Sequence, residues 1–304
     1  MDILLTFFNF IIETSARWYE QDLNQIRIRV EPLVNNKYEY MGTLKGKFIK
    51  GQVGNLVYRE YQGKQIVQSA PDTPKSHRTE GTKKSAALFG KASKLAGGLR
   101  WGLGYICGKF YDGTMIYRLN AEILRCLTAA KEHQTPQFNF SPDSFRTLAG
   151  FEFNIGSMVK NLFYVQPSVI VEGTTLQVII PEIKVPTDLK WPIDRPKCCK
   201  LLIAIGIIDL KKGSTILGTP QVMDIPYSYN FKTVESQTFN FEMIPGCLHV
   251  VGITLKYIEE SFIGETTINT KSFNPAAILS AHLAEGTTDY GIRRNWQEFE
   301  RDGY

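Results

Sequence analysis

The sequence predicts a mainly β protein: a C-terminal immunoglobulin-like antiparallel β-sandwich, with a basic β-hairpin arm and a short helical segment before it. Three observations carry this reading. From about Ser141 the apolar residues alternate with period two, as in Phe239, Phe241, Met243 and in Val251, Ile253, Leu255, Tyr257. Turn residues at Gly173, Lys212-Gly213, Pro245-Gly246 and Ile263-Gly264 divide that half into about seven short strands. Upstream, between Leu88 and Ala130, the apolar period is helical, and before that the chain is rich in lysine and glycine. The segments expected are an N-terminal extension (1–40), the basic arm and linker (41–77), the helical segment (78–135), the sandwich (136–285) and a polar tail (286–304).

The extension opens on an apolar run, Ile3 to Ile12 (ILLTFFNFII). Its length is that of a signal-peptide core, but Asp2 stands where a positive charge belongs and Glu13 follows directly. The run is also too short to span a bilayer. A functioning signal peptide is therefore not expected, and Met41 is an alternative start. In the arm, Asn55 to Tyr61 (NLVYREY) and Lys64 to Gln68 (KQIVQ) read as two strands joined at Gln62-Gly63, a hairpin signature. An isolated hairpin is marginal in water, so it is expected to pair with a sheet elsewhere. Pro71 and Pro74 then mark a linker.

Leu88, Ala92, Leu95, Leu99 and Ile106 lie on one helical face, while Lys84, Lys91, Lys94, Arg100 and Lys109 exclude a lipid-spanning helix. Interior glycines each cost a helix about 1 kcal/mol relative to alanine. A break is therefore expected near Gly97-Gly98, giving two shorter helices; the alternative is that the glycines permit close backbone approach. A further helix carries the stripe Ile116, Leu119, Ile123, Leu127, Ala130, with Asp112 or Thr114 as its cap and Pro136 beyond its end. The expected strands are Leu162–Val171, Thr175–Ile180, Leu201–Asp209, Thr219–Tyr227, Thr238–Ile244, Leu248–Glu259 and Thr266–Phe273. Leu201 to Ile208 (LLIAIGII) is apolar throughout, as a central strand covered on both faces would be. Trp296 and Phe299 are the candidate anchors of the tail.

The chain has 304 residues, 43% hydrophobic and 21% charged, an ordinary globular composition that excludes wholesale disorder and a polytopic membrane protein. Its net charge of +5 is unevenly spread. Residues 41–110 carry 13 Lys and Arg against Glu60, Asp72 and Glu80, whereas the flanking regions are mildly acidic. Such an arm suits phosphate, an anionic surface or an acidic partner. The five cysteines, an odd number that includes the adjacent Cys198 and Cys199, read as reduced thiols and synthesis in the cytoplasm, with one or two bridges as the alternative.

Motifs for chemistry are missing. Gly46 to Gly51 has the first spacing of a phosphate loop but continues Gln52-Val53, without the lysine and hydroxyl. Gly102-Leu103-Gly104 lacks the strand and the third glycine of a dinucleotide fold. There is no G-x-S-x-G and no H-E-x-x-H. Cys198, Cys199, Cys247 and His249 form a metal set only if the fold gathers them, and neighbouring cysteines on a strand point to opposite faces. No cofactor or metal is expected.

The stretch MGTLKGKFIKGQVGNLVYREYQGKQIVQS, followed by PDTPKSHRTEGTKKSAALFGKASKLAGGL, resembles an uncharacterised family of Bacteroidota proteins. Members open with an arm of the form G-x-x-G-x-V-G-N-x-V, here Gly51 to Val57 with an altered first part. A G-K-x-x-x-R strand follows; the match from Gly63 departs at Gln68, and the x-P-R-T-x-x-Q linker is met only loosely by His77 to Glu80. The resemblance lies mainly in residues 41–100. It implies a Gly/Lys-rich arm ahead of a β-rich half, a bacterial or phage source and Met41 as the natural beginning of the arm; it implies no activity.

The function expected is non-enzymatic: a structural or assembly protein, of phage-virion or bacterial-surface kind, whose arm contacts other subunits by β-augmentation. The arm contacts are Lys45, Lys47, Lys50, Val57, Tyr58, Arg59, Tyr61, Lys64 and Ile66. The partner is a second copy or another protein, and no membrane span is expected. An alternative is low-specificity nucleic-acid binding through residues 41–110, with Lys83, Lys84, Lys91 and Lys94 on phosphates and Phe48, Tyr58 and Tyr61 stacking on bases. A third reading is a carbohydrate- or protein-binding module using Trp191, Tyr227 and Tyr229 on the sandwich loops.

Overall fold

The computed structural model describes residues 27–29, 41–70, 79–131, 137–192, 196–262, 264–287, 295–300 and 303–304. The apolar run 3–12 and the linker prolines Pro71 and Pro74 lie outside them. The chain forms two compact units, Met1–Arg78 and Thr79–Tyr304. It is mainly β, and among the described residues every strand pairing is antiparallel.

The first unit is a five-stranded meander in sequence order: β1 (Arg27–Arg29), β2 (Met41–Lys45), β3 (Phe48–Val53), β4 (Leu56–Tyr61) and β5 (Lys64–Ser69). The expected hairpin is β4–β5. Gln62 and Gly63 close it with φ of 51° and 73°, the left-handed pair that matches the strand twist. The expectation of a single hairpin was too small, since β2 and β3 continue the ladder. After Gly51 meets Tyr58, β4 leaves β3, and the Gln65 amide takes over. Its Oε1 accepts from the Ile49 N–H at 2.8 Å and its Nε2 donates to the Ile49 carbonyl at 2.9 Å.

The second unit begins with α1 (Glu80–Gly102), capped by Thr79, whose Oγ1 accepts from the Thr82 amide at 3.2 Å. Then come α2 (Gly104–Cys107) and α3 (Met115–Ala130). The strands are β6 (Ser168–Glu172), β7 (Thr175–Ile180), β8 (Ile183–Val185), β9 (Cys198–Asp209), β10 (Ser214–Leu217), β11 (Gln221–Pro226), β12 (Lys232–Val234), β13 (Gln237–Glu242), β14 (Leu248–Ser261), β15 (Gly264–Thr267), β16 (Ala276–Leu283) and β17 (Gln297–Glu298). Two long strands organise the unit. β9 pairs with β14 along one edge and with β11, then β10, along the other. β14 in turn carries β16 and β15 on its second edge. A three-stranded sheet, β13-β7-β6, and the short pair β12-β8 complete the β structure.

Period two along β9 and β14 divides their side chains between two cores. Leu201, Ile203 and Ile205 with Val251, Ile253 and Leu255 meet Leu176, Val178 and Ile180 of β7 and Phe239 and Phe241 of β13. From the other face, Ala204, Ile208, Leu248 and Val250 meet Leu95 and Leu99 of α1, Ile106 of α2, and Leu119, Ile123 and Leu127 of α3. Each such aliphatic side chain contributes roughly 1.5–3 kcal/mol on burial. β9 is thus the two-sided central strand that its uniform apolarity implies. The helices form a third layer on the large sheet and belong to the same compact unit as the strands and tail.

The expected break at Gly97-Gly98 does not occur: α1 runs unbroken to Gly102. The glycines serve close approach instead. A Cβ on Gly98 would lie 2.5 Å from the Phe299 ring, and one on Gly102 would lie 2.7 Å from the Thr215 Oγ1 and 3.3 Å from the Gly206 Cα.

Candidate interaction surfaces

In the arm, register decides which predicted contacts act together. Lys45 pairs with Phe48, Gln52 with Val57, Arg59 with Ile66 and Tyr61 with Lys64, and cross-strand partners share a face. With period two along β3, this puts Lys45, Phe48, Lys50, Val57, Arg59, Tyr61, Lys64 and Ile66 on one face. Tyr58 lies on the other, opposite Gly51 and Val67. Lys47 is in the β2–β3 turn, its Nζ 5.4 Å from the Phe48 ring centre. Lys50 is ion-paired with Glu60 at 2.7 Å, whereas Lys45, Arg59 and Lys64 are exposed. No residue of β3, β4 or β5 is fully buried, and Leu56, Tyr61 and Val67 are 40%, 51% and 49% exposed.

The four lysines expected on phosphates divide into two pairs. Lys83 and Lys84 lie on the exposed first turns of α1, with Lys83 bonded to Glu80 at 2.7 Å. Lys91 and Lys94 reach the tail. The Lys91 Nζ donates to the Gly303 carbonyl at 2.8 Å and lies 5.1 Å from the Tyr304 ring centre; Lys94 pairs with Glu300 at 3.0 Å. The Tyr304 hydroxyl closes the set by donating to the Lys91 carbonyl at 2.7 Å. Of the two tail anchors expected, Phe299 packs on the helix-side core and Trp296 on the other.

The aromatic residues do converge. Tyr227 stands edge-to-face between Trp191 and Tyr229, with both centroid separations 5.0 Å and both interplanar angles 79°. Trp191 is half-buried against Tyr257, and Tyr229 is 68% exposed. A cavity of about 360 Å³ beside Trp191 is lined by Ser157, Asn161, Lys190 and Phe273 among others. Edge-to-face packing braces these rings against one another.

A charged cluster outside the sequence-predicted sites surrounds Arg118 on α3. Its guanidinium bonds Asp112 at 2.5 Å and the Glu152 carbonyl at 2.8 Å, and lies 5.0 Å from the Phe151 ring centre. Burial alone would raise Asp112, but hydrogen bonds from Thr114, the Ile155 amide and Arg118 outweigh it and hold the carboxyl at about 2. Burial pushes Glu152 up, opposed by the Val159 and Lys160 amides that its carboxylate accepts at 2.9 and 3.3 Å. These groups tie the segment 150–160 to α3.

Cys198-Cys199 and Cys247-His249 do not meet. His249 pairs with Ile207 and Ile258 with Cys198, so the two sets occupy opposite ends of the β9–β14 ribbon. None of the five cysteines is in a disulfide. Burial raises Cys107 to about 11 and Cys199 well above its ordinary value, which makes both poor nucleophiles. Among the described residues no group of three metal-ligating side chains gathers, and no helix is long and apolar enough to cross a membrane.

Sheet edges supply the surface that sequence reasoning missed. β16 is covered by residues 150–153, which bond to Ile278 and Ala276. β15 is polar throughout, β11 presents Asp224, and β17 is only two residues long. β6 carries a single charge, Glu172, at its last position. It pairs with β7 alone among the described residues, and its sequence Ser-Val-Ile-Val-Glu leaves Ile170 and Val171 40% and 38% exposed. The period-two pattern finds such a strand, but edge position depends on the rest of the sheet.

No family model matches this chain, and neither a curated protein nor a solved structure matches it.

Proposed function

We infer that the protein is a non-enzymatic assembly component whose basic arm engages other subunits by strand addition. The observation that carries this reading is the arm sheet itself: five strands in one layer, with Leu56, Tyr61 and Val67 about half-exposed and nothing in β3–β5 fully buried. A sheet needs at least one covered face or a further paired edge to be stable, and a partner provides either. The resemblance of residues 41–100 supports a bacterial or phage source, hence a place in a virion or cell-surface assembly. An immunoglobulin-like kinship of the two facing sheets is part of the same proposal. Its support is the shared core of β7, β13, β9 and β14; the helical layer is an addition to that pattern.

One observation favours a second reading. The face that carries Lys45, Arg59 and Lys64 also carries Phe48 and Tyr61, the mixture of cations and rings that holds single-stranded nucleic acid. Size-exclusion chromatography with light scattering at low and high salt, on chains beginning at Met1 and at Thr79, separates the two. Salt-resistant oligomers that become monomers without residues 1–78 are the outcome expected. A monomer with a high 260/280 nm ratio at low salt, lost at high salt, would replace assembly with nucleic-acid binding.

A further inference from the structure

We propose that β6 of a second copy is the acceptor for the arm, β5 adding antiparallel to its open edge. This rests on the assembly reading above and specifies its geometry. Both strands are edges among the described residues: β5 pairs only with β4, and β6 only with β7. They are similar in length, at six and five residues.

Their side chains match in one register. Set Lys64 opposite Glu172, and Ile66 then faces Ile170, Val67 faces Val169 and Gln68 faces Ser168. The alternation also agrees with the sheet behind. Val169 and Val171 stand opposite the buried Val178 and Leu176 of β7, on the core side, so Val67 would extend that side, while Gln65, opposite Val171, keeps its amide on the Ile49 backbone. Ile170 stands opposite Gln177 on the outer side, where Ile66 and the Lys64–Glu172 pair would join it.

Other registers are poorer. A shift of two residues sets Ile66 against Ser168 or Glu172, and a shift of one sets Lys64 against Gly173 or Val171 and loses the charge pair. Parallel pairing keeps Ile66 on Ile170 but sets Lys64 against Ser168 and loses the charge match. Opposite charges and aliphatic pairs directly across a ladder are what stabilises strand addition.

The test uses the full chain and reads its self-association by analytical ultracentrifugation. Ile170→Lys should weaken association at least tenfold while the monomer's thermal transition is unchanged, because Ile170 is already 40% exposed. Lys64→Glu and Glu172→Lys should each weaken it several-fold, and the double exchange should restore it. An Ile66→Cys/Ile170→Cys chain should form a disulfide between copies on oxidation. If association depends on residues 1–78 but ignores Ile170→Lys and the charge exchange, the acceptor is wrong while the assembly reading stands. A full chain that is monomeric at every concentration overturns both, and a disulfide between positions 66 and 170 of one chain in the double variant overturns the second-copy acceptor.

Discussion

Gly102 and Gly206 meet backbone to backbone where the end of α1 crosses the middle of β9. A Cβ on Gly206 would lie 3.0 Å from the Gly102 carbonyl carbon and 3.1 Å from its oxygen. The crossing brings the helix down to the sheet, and Leu99 and Leu103 on either side are buried as a result.

Gly206→Ala should therefore destabilise the body by about 1–3 kcal/mol, since main chain cannot rotate away as a side chain can. Gly90→Ala, on the same helix, is the control. Nothing lies within 4 Å of its Cβ position, and helix propensity alone should stabilise by up to about 1 kcal/mol. Urea denaturation of the two variants measures both signs; equal effects would show that the crossing is not tight.

The Gly98–Phe299 contact predicts a strong coupling. Gly98→Ala in the intact chain drives a methyl into the ring, at a cost of about 1–3 kcal/mol. In a Phe299→Ala background the same change should be neutral or mildly stabilising. A double-mutant cycle reads the difference directly, and additive effects would place the tail elsewhere.

His249 makes stability depend on pH. It is fully buried on β14, where the Ile244 amide donates to its Nε2 at 2.9 Å, so the fold needs the neutral ring. Burial first, and the neighbouring His282 second, lower it from 6.5 to about 4, against a raising contribution from the Cys247 backbone. Below pH 6.5 the unfolded chain takes up a proton that the folded chain refuses. Stability should then fall as pH drops from 6.5 towards 4, by up to about 1.4 kcal/mol per unit. His249→Gln should flatten this slope in melts across that range; a slope that survives belongs to another group.

Periodic segments were the legible part of the sequence. Thr175–Ile180 was read at its observed bounds, and β9, β13, β14 and α3 lie within a few residues of where their apolar residues placed them. Local pattern failed where long-range geometry decides. Ala276–Leu283 (AAILSAHL) has no clear alternation, yet its pairing with β14 makes it a strand. Thr266–Phe273 supplied only the short β15, because Asn269 bonds the Tyr257 amide and the Leu255 carbonyl and turns the chain. The glycines of α1 read as breaks, because the backbone and ring that need the space lie far away in sequence. In the arm, the lysines gathered on one face were recognisable by type and spacing. The division of Lys91 and Lys94 from Lys83 and Lys84 was not, since the tail that claims the first two is more than two hundred residues away.

That separation has a bearing on synthesis. Lys91 holds the Gly303 carbonyl across 212 residues, and the Tyr304 hydroxyl returns to the Lys91 carbonyl across 213. A chain emerging from the ribosome makes α1 early but can close these bonds only when the last residues described here have left the exit tunnel. The middle of α1 therefore waits, half-finished, for nearly the whole translation of the body, and the final turn of the tail is the latch that completes it.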